Sequence, residues 1–180
     1  MTLGSCLLAQ QLYDPIRMRW TVSAAAFLAA VLASAALAAD GPSLRGHGVQ
    51  LTAPEGWQRI DAIDEVAFTD PRTLLVVGTK GVRAIETDCQ VSSYRVPADG
   101  AVVVVIGWRR ASTGVTLLPL ASMRLRRDTF ECFDGRGAVA QVIRNGHDFQ
   151  LNVMVGDRAD ADLVAEALDV ARSFAVAPRS

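Results

Sequence analysis

Apolar and polar positions alternate early in the chain, at Val49, Leu51 and Ala53 within GVQLTAPEGWQRI, and a period of two is the mark of a strand with one buried face. Pro54-Glu55-Gly56 breaks that strand, and Trp57 follows the break. TLLVVGT at 73–79 is a compact β run, bounded upstream by the turn signal Asp70-Pro71. AVVVVIGWR at 101–109 is apolar at successive positions, which fits a central strand covered on both faces. GAVAQVIR and DFQLNVMV flank Asn145-Gly146, two residues that accept positive φ, so they predict a hairpin. MRLRR and TFECF read as short strands around Asp128, and residues 111–122 read as loop.

Two segments carry the helical period. Asp88 is placed to cap a short helix over 89–95, ended by Pro97. Near the C-terminus, Leu163, Val164, Ala167, Leu168, Ala171 and Phe174 recur at helical spacing, with Asp162, Glu166, Asp169 and Arg172 opposite. Asp157 or Asp160 serves as its cap, and acids in the first turn suit the helix dipole. A stripe of that kind must lie on something, and a sheet face is the one candidate. The expected fold is α+β, an antiparallel sheet with a C-terminal helix packed on one face, formed by residues 48–178 as a single domain after a linker at 40–47.

The pattern changes upstream. WTVSAAAFLAAVLASAALAA at 20–39 has no charge, follows Arg17 and Arg19, and ends in small residues at Ala36-Leu37-Ala38. A basic segment, an apolar segment and a small-residue site are the three parts of a secretory signal, so cleavage is expected after Ala38 or Ala39. An uncleaved membrane anchor is the rival reading, and it would be the chain's one contact with a membrane. Residues 1–17 carry Asp14 and no early cation, and Met18-Arg19-Trp20 makes a more ordinary start, so 1–17 read as a mis-assigned extension upstream of the true start. The expected location is the periplasm, cell envelope or exterior.

Export gives the cysteines a meaning. Cys6 lies before the apolar run, which leaves Cys89 and Cys132 in the mature part. An even count in an exported chain reads as a disulfide, here closing a loop of about 44 residues. Two free thiols, a metal site with His47 and His147, and a catalytic thiol are the alternatives; none of the four residues shows metal-ligand spacing.

Charge narrows the partners. Of 18 basic and 19 acidic residues, Arg17, Arg19 and Asp14 precede residue 40, so 16 basic and 18 acidic remain, a net charge of −2. Nucleic-acid binding is disfavoured, because phosphate neutralisation asks for a basic excess. G-x-S-x-G, H-E-x-x-H, the P-loop and G-x-G-x-x-G are absent. No spacing ties Ser92 or Ser93 to His147, and His147 reads as an exposed turn residue. Asp157, Asp160 and Asp162 lack EF-hand spacing, and capping accounts for them. No cofactor or metal is expected.

One cationic group stands out. Trp108, Arg109 and Arg110 end the central strand, and Arg124, Arg126 and Arg127 follow in the next expected strand. Were the two strands neighbours, an arginine-rich edge with a tryptophan would suit an anionic ligand or an acidic envelope partner. The plainer reading is a solvated edge whose charges discourage aggregation.

The APEGW turn, DPRTLLVVGT, Cys89, PADGAVVVVI, FECF, GAVAQVIRNGHDFQLNVMVG and the closing helix into ARSFAV together resemble small exported bacterial proteins with a PsbP-like or LpqN-like α+β domain. The resemblance covers roughly residues 48–177. It implies a fold and an envelope location, and no catalytic residues. The expected function is a non-enzymatic exported accessory or binding module. The alternative is a secreted enzyme whose site is assembled from scattered residues.

Overall fold

Strand β7 (Ala101–Gly107) runs through the middle of the molecule, as its unbroken apolar run requires. In the computed structural model, which describes residues 41–61, 70–85, 94–109 and 117–177, β7 pairs antiparallel with β4 (Arg72–Thr79) and β9 (His147–Val155). β3 (Trp57–Arg59) and β8 (Arg136–Arg144) complete a five-stranded sheet in the order β3-β4-β7-β9-β8. A second, three-stranded sheet has the order β1-β2-β10, with β1 Ser43–Gly46, β2 Val49–Thr52 and β10 Ala175–Val176. A two-stranded ribbon joins β5 (Arg83–Ala84) to β6 (Tyr94–Arg95). One α-helix, α1 (Ala161–Arg172), lies near the C-terminus, so the fold is α+β and mostly antiparallel.

Register explains why β7 is apolar at every position. Directly paired residues share a face, so Val77, Val103, Val153 and Ala138 form one row and Leu75, Val105, Leu151 and Ala140 the next. These rows join Val49, Leu51, Phe149, Ala167, Val170, Ala171 and Phe174 in the main core. The intervening residues of the same strands, Val76, Val102, Val104 and Met154, join Ile60, Val82, Tyr94 and Phe130 in a second core. Phe149 and Phe174 meet in the first core with ring centres 5.1 Å apart.

The hairpin at Asn145-Gly146 forms as expected, with φ of 53° and 75°. A second hairpin of the same make joins β1 to β2 through His47 and Gly48, at φ 41° and 80°. Both turns use positive φ at two successive residues, which matches the twist of the flanking strands. α1 starts where expected: Asp160 is its cap, and its Oδ1 accepts the Leu163 N–H at 2.8 Å. Ser173 ends it and holds the strand beneath. Its hydroxyl accepts the Thr52 N–H at 2.8 Å and lies 3.1 Å from the Thr52 carbonyl. Trp57 is buried, and its indole N–H donates to Glu166 of α1.

Three expectations change. Residues 43–46 of the expected linker are a strand, held by four antiparallel pairs to β2. Tyr94 and Arg95, assigned to a short helix, are strand β6, because their partners are Ala84 and Arg83 across the ribbon; residues 89–93 of that helix lie outside the described residues. MRLRR and TFECF are not strands. Residues 123–135 are turns and bends, joined to β8 by one β-bridge from Arg126 to Gly137 and by the Thr129 hydroxyl, which donates to the Gly137 carbonyl at 2.8 Å. Their short alternations are satisfied by burying Met123 and Phe130 singly. The leader, 1–39, lies outside the described residues, among which no helix is long and apolar enough to cross a membrane.

Candidate functional site

Where the two sheets part, the main core opens to solvent in a cleft of about 790 Å³. The β1–β2 turn supplies His47 and Gly48, the start of β4 Arg72 and Leu74, and the end of β7 Gly107, Trp108 and Arg109. The β8–β9 hairpin supplies Asn145, His147 and Phe149, and the end of β10 Val176 and Ala177. The buried side chains of Val49, Leu74 and Phe149 make the apolar floor. Exposed His47, Arg72, Arg109 and Asn145, with half-buried His147 and Trp108, make the polar wall. Among the described residues no Asp or Glu lines the cleft.

The backbone holds that wall in place. Gly107 pairs with both Arg72 and Phe149 across the sheet. The ladder then runs one step further, because the Trp108 N–H donates to the Asp148 carbonyl at 3.0 Å. One oxygen of the Asp70 carboxylate accepts the Arg109 N–H at 3.0 Å. His147 Nδ1 lies 2.9 Å from the Arg109 carbonyl oxygen. A carbonyl can only accept, so Nδ1 carries a proton and donates. Nε2 is the nitrogen left for a ligand.

The guanidinium groups of Arg72 and Arg109 make no ion pair; among the described residues the salt bridge is Arg172 to Asp169, at 2.8 Å. A guanidinium is a fixed cation with a planar fork of donors suited to an oxyanion. Two of them, with two imidazoles beside them and no carboxylate in the wall, can hold a negative group. Phosphate, sulfate and carboxylate groups all fit that description. Among the described residues no cluster of three or more His, Cys, Asp or Glu side chains is gathered as for a metal ion.

The arginine-rich edge is divided. Trp108 and Arg109 stand in the cleft, and Arg110 lies outside the described residues. Arg124 donates to the Met123 carbonyl at 3.0 Å, Arg126 bridges to Gly137, and Arg127 is in the following turn. Gly137 shares a row with Val102, six residues down β7 from Trp108, so the two groups stand roughly 20 Å apart along the sheet. β4 and β9, not residues 123–127, flank the central strand.

Sequence reasoning did not single out Arg72, and it read His147 as a bare turn residue. These are the chain's two histidines, one hundred positions apart, and both face one cleft. The two-residue turns were the available signal, since each turn delivers one histidine to the same end of the molecule. Cys132 is disulfide-bonded, while Cys89, Ser92 and Ser93 lie outside the described residues. Asp157 precedes α1, Asp160 caps it and Asp162 sits in its first turn. Comparison with known proteins finds no family model that matches the chain and no curated protein that matches it.

Proposed function

We propose that the chain is an exported, non-enzymatic binding module of the cell envelope, whose end cleft takes an anionic ligand. One observation carries the reading: Arg72 and Arg109 face a single cleft where, among the described residues, neither has an ion-pair partner and no carboxylate lines the wall. An anion placed between the two guanidinium groups gains charge-assisted hydrogen bonds from both. The apolar run and small-residue end of residues 20–39 support export. In this reading Cys132 bridges to Cys89, and α1 packs on one face of the five-stranded sheet. The membership of Ala167, Val170 and Ala171 in the same core as Val103 and Val153 supports that packing. The resemblance to PsbP-like and LpqN-like exported domains points the same way and rests on the quoted residues.

Sulfate is the test ligand, because its charge is constant across the working pH range. Calorimetric titration at low salt should show binding to the native domain, weakening as ionic strength rises. The double variant Arg72→Ser, Arg109→Ser should lose affinity by about tenfold or more, the scale of hydrogen bonds to charged groups. Equal affinity in native and variant proteins, with both folded, would refute an anion site in the cleft.

A further inference from the structure

We propose that oxyanion binding in the cleft is coupled to proton uptake, with His147 as the group that takes the proton. The inference rests on the anion-binding reading and adds its regulation: the site fills in acid and empties toward alkaline pH.

The geometry begins with the tautomer. The Arg109 carbonyl holds the proton on Nδ1, so a neutral His147 offers Nε2 only as an acceptor. An acceptor facing an oxyanion is repulsive. Protonation turns Nε2 into a charged donor and reverses the sign of that contact. Nδ1 keeps its bond in both states, so the ring need not turn over.

Charged groups surround the ring. Arg144 stands directly across the β8–β9 pair from His147, Arg72 and Arg109 share the cleft, and His47 is the second imidazole. Two acids stand nearby: Asp70, one oxygen of which accepts the Arg109 N–H, and Asp148, next in the chain to His147. His47 also faces a smaller hollow of about 260 Å³ with Arg59 and Asp61, so an acid already stands near it. His147 is the imidazole whose Nδ1 is held by a backbone carbonyl, which leaves Nε2 as the place for a proton taken up with the ligand. A bound anion offsets the cations around it and favours the imidazolium. By linkage, whatever raises proton affinity in the bound state makes binding tighter as pH falls.

The test is calorimetric titration of the native domain with sulfate between pH 5.5 and 8, in buffers of different ionisation enthalpy. The expected result is affinity rising by about tenfold toward the acid end, the effect of one pKa unit of coupling, with net proton uptake on binding. His147→Gln keeps a neutral donor and should flatten the profile, while His47→Gln should leave most of the slope. Melting temperatures of both variants check that they fold, and the proton-uptake measurement needs no variant. Phenyl sulfate, titrated beside sulfate, separates an ester-borne oxyanion, which gains affinity from its ring, from the free ion, which does not. The slope with pH is required of whichever binds tighter. Sulfate binding that is flat with pH and releases or takes up no proton overturns the coupling and leaves the anion site standing. No sulfate binding at any pH overturns both.

Discussion

Asp160 shows how much one side chain contributes when its position is right. Its carboxylate accepts the Leu163 N–H, one of the amide groups at the start of α1 with no partner inside the helix. Asp162 in the first turn and Arg172 in the last reinforce the helix dipole from both ends. Asp160→Ala should destabilise the domain by about 1 kcal/mol, read as a lower urea midpoint at unchanged slope. An unchanged midpoint would mean that the cap is redundant. The cap was legible in the sequence, since an Asp before a helical stripe has a local cause. His147 was not. Its role comes from the Arg109 carbonyl, which the ladder brings alongside from 38 positions away. No local pattern announces such a neighbour.

Among the elements, long strands and the helix were legible, and two-residue strands were not. β8 and β9 each have nine residues and a turn of Asn and Gly, enough for their period to be read. β5, β6 and β10 have two residues each, less than one full alternation, so only tertiary pairing defines them. β1 was hidden for another reason: its outer position leaves Ser43 and Arg45 exposed, so SLRG reads as linker. The stripe of α1 was read correctly but centred one row off. Ala167, Val170 and Ala171 are fully buried, while Leu163, Val164 and Leu168 are half-buried at its flank. Val170→Asp should therefore unfold the domain, because it places an unpaired charge inside the core. Leu168→Asp should cost less, since a half-buried carboxylate reaches water. Thermal melts of the two variants check the order, and an equal loss would show that the helix is rotated from the face described here.

At the scale of the whole molecule, alternate residues of the five-stranded sheet belong to two cores, one sharing members with α1 and the small sheet and the other with the β5–β6 ribbon. The proposed Cys89–Cys132 bridge belongs to this scale, because it would tie the turn that holds Cys132 to a distant part of the chain. Cys132 sits in that turn with φ of 61°, and its proposed partner is Cys89. Peptide mapping of the exported protein without reductant should recover the two cysteines in one cross-linked fragment. Replacing both by Ser should cost about 2–5 kcal/mol. Recovery of Cys89 as a free thiol would rule out the pairing. The general class of fold was readable because β7 and α1 each carry their own period. The cleft was not, because it is made of five chain segments that share no motif and meet only when the two sheets part.

The central claim is that this cleft, and no other cationic surface, is the anion site. Lys80, Arg83 and Arg95 around the ribbon, and Arg124, Arg126 and Arg127 beyond β8, are exposed cations in other places and make the natural controls. The most direct measurement is the change in backbone amide resonances as sulfate is added to isotopically labelled domain at pH 6 and low salt. The account predicts saturable shifts at His47, Gly48, Arg72, Trp108, Arg109 and His147, with the two control groups nearly still. Shifts centred on Arg83 and Arg95 or on Arg124–Arg127, or no saturable shift in the cleft, would contradict it.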